Sequence, residues 1–373
     1  MKHMTTMPGL RMAMSVVALA TVSGCSSTVA DTATTKPGDA AADRAISRRL
    51  DAGDADDGSG EYILPPSWKG GAPKVIGSGI EGVSVAVDGA NVYWQGTGGA
   101  VYACPFAGCA GGKATILSAL IGGSSDLQTL VAYNGVALFL TSQGDGISRV
   151  SYATPTQTST TYSATGNGIG ALVSDGANLY FTNNDAEDGG QAVALSSCPL
   201  QGACTSPVSL YQSTDATTYV QLDQIAVSGS EVFFIENADS TSLRAVSTSG
   251  GDARTVCTSD MLGGAVSLVV AGGYAYFTTQ ADASAIYQCS TSGVATASLF
   301  LRDYAPYALA TDGTNLYWTN YVPTTGTVAT CAVGAKCTAP LTVASMQDAP
   351  FAIAANATSV YWSTSTAIFG ADR

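Results

Sequence analysis

The sequence predicts an all-β protein folded as a seven-bladed β-propeller of four-stranded antiparallel blades. The first observation is a phrase that recurs seven times between residues 82 and 365: a β-rich run, a turn, and a second run that closes on an aromatic pair. The second is the distance between successive pairs, 41 to 53 residues, which is typical of one four-stranded blade. The pairs are Tyr93-Trp94, Phe139-Leu140, Tyr180-Phe181, Phe233-Phe234, Tyr276-Phe277, Tyr317-Trp318 and Tyr361-Trp362.

Each repeat divides into four short runs that favour β-strands. In the first repeat these runs are residues 83–87, 91–95, 100–103 and 114–117. Because a single repeat cannot bury its own apolar face, the repeats must stack around a common axis. Asp-Gly or Asn-Gly occupies the first turn of four repeats, since these residues tolerate the positive φ of a tight hairpin. These turns are Asp88-Gly89, Asn134-Gly135, Asp175-Gly176 and Asp312-Gly313.

The last repeat lacks an outer strand. It supplies runs at 351–355, 359–363 and 367–370, and the chain then ends. Residues 74–76, Lys-Val-Ile, resemble outer strands of other repeats such as residues 341–343, Leu-Thr-Val. We therefore predict that an N-terminal strand closes the last blade, which would remove an unpaired sheet edge.

Residues 1–24 are predicted to be a signal peptide. Lys2 and Arg11 precede an apolar stretch, residues 12–22, that is too short to span a bilayer. The stretch ends in Val22-Ser23-Gly24-Cys25, which resembles the lipobox of bacterial lipoproteins. The resemblance implies cleavage before the cysteine and attachment of fatty acyl chains, palmitate among them. A secretory signal with an unrelated cysteine is the alternative.

Lipidation of Cys25 would anchor the mature protein, because two or three acyl chains hold a protein durably at a membrane. Ser26 follows the cysteine, and by the same resemblance this favours the outer membrane of the cell envelope. Residues 25–62 are rich in Ala, Thr, Asp and Ser without apolar periodicity, so we expect a disordered tether. The propeller is predicted over residues 63–373.

The repeated phrase resembles the YWTD-type propellers of lipoprotein receptors. Tyr317-Trp318-Thr319-Asn320 and Tyr180-Phe181-Thr182-Asn183 carry the resemblance, which extends over about 310 residues. The resemblance implies the propeller architecture. Two departures limit it: the aspartate of the family motif is replaced, and seven repeats are present where the family has six.

Eight cysteines remain besides Cys25, an even number that suits an oxidising compartment. Three close pairs fall between third and outer strands and are predicted to be disulfides: Cys104/Cys109, Cys198/Cys204 and Cys331/Cys337. A zinc site is disfavoured, because the pairs lie in different blades and the mature chain lacks histidine. Cys257 and Cys289 end strands that are expected to point to opposite faces, so a disulfide and two free thiols both remain open.

The composition excludes several function classes. The only histidine, His3, lies in the predicted signal peptide, so no imidazole serves as a general base or metal ligand in the mature chain. The net charge of −13 disfavours nucleic acid as a partner. We also expect no resident cofactor, although calcium is possible at acidic loops.

Carboxylates are the candidate ligand-binding residues. Loops between second and third strands, and loops between blades, open on one face of a propeller, and many of them are acidic. The candidates are Asp185, Glu187, Asp188, Glu236, Asp239, Asp282, Asp303 and Asp348. Counted from residue 63, the propeller has 20 acidic and 9 basic residues, a net charge of 9 − 20 = −11. Such a face would attract cations or cationic ligands, or would simply keep the protein soluble.

These observations favour a monomeric, lipid-anchored protein that acts as a noncatalytic binding or scaffold protein. Its expected partners are the membrane, through the anchor, and a protein or glycan of the envelope. An enzyme acting on polysaccharide or peptidoglycan with a pair of carboxylates is the alternative. Convergence of two or three loop carboxylates in one pocket would favour that enzyme.

Overall fold

The protein is a seven-bladed β-propeller, as the sequence predicts. A computed structural model describes residues 68–373 apart from 80, 97, 120–129, 141–145, 164–167, 185–192, 214–219, 239, 280–283 and 335. Seven sheets form the blades, each with four antiparallel strands, and the sheet of blade 4 gains a short fifth strand. The first strands of neighbouring blades contact one another around a complete ring. The predicted signal peptide, tether and Cys25 lie outside the described residues.

From the centre outward, each blade has a first, second, third and outer strand. The first strands are β2 (Gly82–Val87), β6 (Leu130–Tyr133), β10 (Ile169–Ser174), β14 (Gln221–Ser228), β18 (Ala265–Ala271), β23 (Pro306–Thr311) and β27 (Ile353–Ala355). The second strands are β3 (Asn91–Gly96), β7 (Val136–Leu140), β11 (Asn178–Asn183), β15 (Glu231–Asn237), β19 (Tyr274–Thr279), β24 (Asn315–Asn320) and β28 (Ser359–Ser363).

The outer half of each blade is built the same way. The third strands are β4 (Val101–Pro105), β8 (Gly146–Ser151), β12 (Ala194–Pro199), β16 (Ser242–Ser247), β20 (Ala285–Ser290), β25 (Gly326–Ala332) and β29 (Ala367–Asp372). The outer strands are β5 (Thr115–Ser118), β9 (Thr154–Ser163), β13 (Val208–Gln212), β17 (Arg254–Thr258), β22 (Ser298–Arg302), β26 (Leu341–Gln347) and β1 (Lys74–Ser78). A short strand, β21 (Ala295–Thr296), and two 3₁₀ helices, Ala110–Gly112 and Asp260–Gly264, complete the described elements.

The N-terminal strand closes the ring. Strand β1 pairs antiparallel with β29, so that Lys74 lies opposite Gly370 and Ser78 lies opposite Ala367. The prediction that the chain's first strand completes its last blade is therefore confirmed. Because this pairing joins the two ends of the propeller, it removes the sheet edge that an open seventh blade would expose.

The aromatic pairs form the core between blades. The described buried apolar side chains fall into seven clusters, each between two neighbouring blades. Within a pair the first member packs toward the following blade and the second toward the preceding one. Tyr93 thus packs with Phe139 of blade 2, whereas Trp94 packs with Tyr361 of blade 7. Successive side chains of a strand point to opposite faces, so two adjacent aromatics fill two seams.

The seam-filling pair of the second repeat lies one residue earlier than the sequence predicts. Leu130 lies opposite Phe139 in the same way that Val85 lies opposite Trp94, so Phe139 is the second member of its pair. Leu138 is the first member and packs in the seam with blade 3. The prediction of Phe139-Leu140 as the pair was wrong, because a seam requires a large apolar side chain and leucine satisfies it.

Three first turns carry an aspartate that caps the hairpin. The Asp88 carboxylate accepts hydrogen bonds from its own turn and from the Tyr93 hydroxyl (2.9 Å), and also from the backbone N–H of Gly135 in the next blade (2.7 Å). Burial alone would raise the pKa of Asp88, but these hydrogen bonds outweigh it and the pKa is lowered. Burial and this carboxylate together raise the pKa of Tyr93. Asp175 with Tyr180, and Asp312 with Tyr317, repeat the arrangement.

The three predicted disulfides, Cys104–Cys109, Cys198–Cys204 and Cys331–Cys337, are all formed. We call each of these disulfide-closed turns a staple, and each staple also contacts the preceding blade. The N–H groups of Cys109, Cys204 and Cys337 donate to carbonyls of the previous outer strand, at 2.9, 2.8 and 3.1 Å. A staple between third and outer strands therefore stiffens a seam as well as a hairpin.

Cys257 and Cys289 form the fourth disulfide, between blades 4 and 5, with their Cα atoms 6.0 Å apart. The expectation that these two positions lie at opposite faces was wrong. Sheet twist tilts each outer strand, so that it crosses the turn after the third strand of the next blade. Cys257 in the outer strand of blade 4 therefore lies close to Cys289 at the end of the third strand of blade 5. Strand β21, just after Cys289, even pairs in parallel with β17, and Ala295 lies opposite Cys257.

Candidate functional site

The two faces of the propeller carry different connections. In all seven blades the residue after the third strand donates its N–H to the first turn at 2.7–3.1 Å, so these turns and the three staples share one face, the turn face. The opposite face, here called the loop face, carries the second-to-third-strand loops and the loops between blades. Two aspartates show this directly: Asp303 and Asp348, both between blades, accept hydrogen bonds from the ends of second strands or the loops that follow.

A central cavity of about 330 Å³ lies between the first strands. Six blades line it, mostly with aliphatic side chains, and no carboxylate is among the lining residues. The lining residues are Val85, Leu130, Val131, Ala132, Tyr133, Leu172, Val173, Ser174, Gly176, Ser267, Leu268, Val269, Ala308, Leu309, Ala352 and Ile353. Ser174, Ser267 and backbone groups of the first strands add polar surface, so the cavity can accept a group with both apolar and polar parts.

A smaller cavity of about 180 Å³ lies at the loop-face ends of the first strands of blades 3 to 5. Its lining is polar. Asn184 exchanges two hydrogen bonds of 2.9 Å with the backbone of Leu222 and so joins blade 3 to blade 4. Asn237 donates to the Asp223 carboxylate nearby. Most of the polar groups around this cavity thus serve the joint between the blades.

Five of the eight predicted ligand carboxylates lie outside the described residues: Asp185, Glu187, Asp188, Asp239 and Asp282. The other three, Glu236, Asp303 and Asp348, lie in the described part of the chain in three different blades or seams. The structure therefore does not gather these three into one pocket. Among the residues it describes, no group of three or more His, Cys, Asp or Glu side chains is placed to hold a metal ion.

Glu236 is buried and already paired. Its carboxylate accepts a hydrogen bond of 2.8 Å from the Arg244 guanidinium and another from the Tyr211 hydroxyl. Arg244 also stacks on the Tyr211 ring, 5.1 Å from its centroid. Burial and the nearby glutamate raise the pKa of Tyr211 to about 12. This triad ties the outer part of blade 3 to blade 4, which is a structural role.

Asp303 and Asp348 are held by the protein's own donors. Asp303 accepts hydrogen bonds from Trp318 Nε1 (2.7 Å), Asn320 Nδ2 (2.9 Å) and the backbone N–H of Tyr304 (2.8 Å). Asp348 accepts from the Ser365 hydroxyl and a backbone N–H of the preceding loop, and these bonds lower the pKa of its exposed carboxyl. Both side chains fix the conformation of loops between blades.

The YWTD-like motif of blade 6, residues 317–320, likewise uses its side chains for hydrogen bonds within the protein. The Tyr317 hydroxyl donates to the first-turn carboxylate (2.8 Å), and Trp318 and Asn320 both donate to Asp303. The Thr319 hydroxyl accepts the N–H of its own first strand (3.1 Å) and donates to a carbonyl of blade 7 (2.9 Å). The motif therefore joins blades and leaves little for a ligand.

The loop face of blades 5 to 7 carries an aromatic surface that was not predicted from the sequence. Tyr307, Tyr321 and Phe351 pack with ring centroids 4.6–5.7 Å apart. Tyr304 and Met346 are exposed on the two connections that lead to Tyr307 and to Phe351. We call these five residues the loop-face aromatic patch. Tyrosines outside the repeated pairs, three of them between 304 and 321, were the available signal.

The comparisons with known proteins agree with the propeller fold. No protein-family model matches the sequence, and a search of curated proteins found no match. Among solved structures, a prolyl endopeptidase is similar over 77% of this chain and 46% of its own, at 11% identity and a TM-score of 0.51. PorZ, an essential bacterial surface component of the type-IX secretion system of Porphyromonas gingivalis, is similar over 80% of this chain and 38% of its own, at 11% identity and a TM-score of 0.50.

A nidogen/laminin complex structure is similar over 58% of this chain and 81% of its own, at 15% identity and a TM-score of 0.43. The chain spans less than half the length of the endopeptidase and of PorZ. At these identities the comparisons show the fold alone. Within the described residues, no helix has the length and apolar character needed to cross a membrane.

Proposed function

We propose that this protein is a noncatalytic binding or scaffold protein of the bacterial cell envelope, anchored by acyl chains on Cys25. One observation carries the binding role: the loop-face aromatic patch lies next to the central cavity on a rigid ring. Exposed aromatic side chains next to a preformed cavity are typical of recognition surfaces. The ring itself is stiffened by strand closure and four disulfides.

The described carboxylates support binding over catalysis. A carboxylate enzyme requires two carboxyl groups at a working separation, with at least one of raised pKa. Glu236 is neutralised by Arg244, and Asp303 and Asp348 are held by three and two donors of the protein itself. The pKa of Asp348 is lowered, the opposite of what an acid catalyst needs.

The envelope location rests on the chain's N-terminus and on its cysteines. Four disulfides are typical of a protein that folds in an oxidising compartment. The resemblance of Val22-Ser23-Gly24-Cys25 to a lipobox supports lipidation, and Ser26 supports the outer membrane. PorZ, which shares the fold, is a bacterial surface component, so this architecture is compatible with that location.

Anchoring is tested by metabolic labelling with an alkynyl fatty acid in cells that produce the full chain or its Cys25→Ser variant. We expect the label and sedimentation with membranes to depend on Cys25. A wild-type protein without label, recovered in the soluble fraction, would refute lipidation.

Binding is tested in the same cells with a photo-reactive phenylalanine analogue at position 304, and with the analogue at position 208 as the control. Tyr304 and Val208 are both exposed, at 77% and 57%, but Val208 lies on an outer strand away from the patch. A discrete adduct from position 304 alone supports a binding surface on the loop face. Adducts of equal yield from both positions would contradict it.

A further inference from the structure

We propose that the loop-face aromatic patch docks an extended segment of a partner protein, with apolar side chains flanked by Lys or Arg. This proposal rests on the proposed binding function and names the class of its ligand. The patch includes the most exposed aromatic side chains of the described residues: Tyr304 is 77% exposed and Tyr321 is 41% exposed. Met346, on the connection that leads to Phe351, is 72% exposed. Tyr and Met are among the residues enriched in protein interfaces.

The loops that present the patch are held in a defined and strained conformation. Among the described residues six non-glycine residues have positive φ. Three of them lie in these loops, Ala305 (55°), Thr324 (62°) and Ala349 (47°), and a fourth, Met346 (54°), lies near the end of β26. Such conformations are unfavourable and persist only where the surroundings impose them, which is common at binding sites. Preorganised side chains lose little conformational entropy when a partner binds.

Hydrogen bonds between the loops impose this conformation. The N–H of Tyr321 donates to the Ala305 carbonyl at 2.9 Å, and the N–H of Ala349 donates to the Val322 carbonyl at 3.2 Å. The Asp348 carboxylate accepts the N–H of Thr324 at 3.0 Å. Three loops from blades 5, 6 and 7 are thereby locked together beneath the exposed rings.

The polar groups near the patch favour a protein over a glycan. Sugar recognition combines ring stacking with carboxylate or amide groups that bond the sugar hydroxyls. Here Asp303 already accepts three hydrogen bonds and Asp348 two, all from the protein itself. Most acceptor positions of Asp303 therefore serve the loops, whereas the exposed Asp348 keeps acceptor capacity and its negative charge for a cationic group. The patch thus offers aromatic and thioether surface next to a single available carboxylate.

Position and charge define the partner further. Tyr307 and Phe351 immediately precede Ala308 and Ala352, which line the central cavity, so the patch lies next to the loop-face end of that cavity. An apolar side chain of an extended segment can reach the aliphatic part of this cavity while its neighbours lie on the tyrosine rings. The propeller has a net charge of 9 − 20 = −11, so Lys or Arg next to the apolar residues would favour association.

The test is selection of a phage-displayed library of random peptides on the full chain carrying Cys25→Ser, which keeps the protein free of lipid. The same selection runs on a chain that also carries Tyr304→Ser, Tyr321→Ser and Met346→Ser. We expect enrichment of apolar peptides with flanking Lys or Arg only on the first chain. The affinity of a synthesised selected peptide should fall about tenfold or more with Tyr304→Ser alone, since aromatic anchors dominate such interfaces.

Val208→Ser is the matched control, because it removes an exposed apolar side chain from an outer strand. Tyr304 makes no ring contact with the rest of the patch, so Tyr304→Ser is expected to fold normally, with an unchanged melting temperature. Equal enrichment on both chains, or no enrichment, would overturn the proposal. So would soluble peptidoglycan fragments that bind in calorimetric titration and lose binding with Tyr304→Ser. Fatty-acid labelling of Cys25 is independent of these outcomes, so failure here leaves anchoring to its own test.

Discussion

Replacing Asp312 with Asn should destabilise the propeller at neutral pH and have a much smaller effect at about pH 2. The Asp312 side chain is fully buried and forms an ion pair of 2.9 Å with Arg373 at the end of blade 7. It also accepts hydrogen bonds from the Thr314 and Asn315 N–H groups (2.7 and 2.8 Å) and from the Tyr317 hydroxyl (2.8 Å). Asparagine keeps the shape but places an amide N–H₂ among these donors.

The magnitude follows from the pKa of Asp312. Burial alone would raise it, but the hydrogen bonds from Thr314, Asn315 and Tyr317 outweigh burial and lower the pKa from 3.8 to about 2. At about 1.4 kcal/mol for each pH unit, the ionised carboxylate contributes about 2 kcal/mol of stability. Because the folded pKa is the lower one, this contribution is complete above the unfolded pKa of 3.8 and is lost as the pH falls toward 2.

Urea-induced unfolding of the Cys25→Ser chain, with and without Asp312→Asn, measures this contribution at about pH 7, about pH 4 and about pH 2. The control is Asp175→Asn, which alters the equivalent turn of blade 3, where the carboxylate caps the turn and accepts from Tyr180 (2.7 Å). We expect a smaller loss there, since the structure pairs Arg373 with Asp312. An Asp312→Asn loss that is equal at all three pH values would refute a role for the charge.

Three further predictions concern joints between blades, each measured by urea unfolding. Replacing both Cys257 and Cys289 with Ser should lower the free energy of unfolding by about 3–4 kcal/mol, whereas removing one short staple should lower it by about 2 kcal/mol. The difference arises because a disulfide that closes a longer loop restricts the unfolded chain more. Equal losses would contradict this prediction. Thr319→Val should cost about 1–2 kcal/mol by leaving the buried Ala308 N–H and the half-buried Phe351 carbonyl unpaired, and a neutral effect would exclude the bridge. Glu236→Gln should cost about 3 kcal/mol, and Arg244→Met in the same chain should recover part of it; no recovery would mean that the buried guanidinium is not the cause.

The periodic features of the fold could be predicted from the sequence. Aromatic pairs and Asp-Gly turns recur because every blade faces the same two demands, a large apolar side chain in each seam and a positive φ at each first turn. The outer strand at 74–76 was predictable because the seventh repeat stops one strand short. The pair of blade 2 was misplaced because Leu138 meets the packing demand without being aromatic.

Features that depend on three-dimensional geometry could not be predicted. The Cys257–Cys289 bond requires the tilt of one outer strand across the next blade, which no pattern within a single repeat encodes. Glu236 looked like a loop carboxylate, yet its strand turns it inward onto Arg244. The aromatic patch gathers residues from three loops that are separate in sequence and that no repeat relates.

The division between repeated and unrepeated residues also indicates where function lies. Tyr317, Trp318, Thr319 and Asn320 of the best-matching phrase all bond the blade to itself or to its neighbours. Residues that recur in every blade serve a structural role that every blade has, which is to join neighbouring blades and close the ring. Recognition of one partner instead needs a surface that breaks the sevenfold repetition. Within the described chain the aromatic patch is such a surface, because its rings and four of the six non-glycine residues with positive φ are concentrated between the outer strand of blade 5 and the first strand of blade 7.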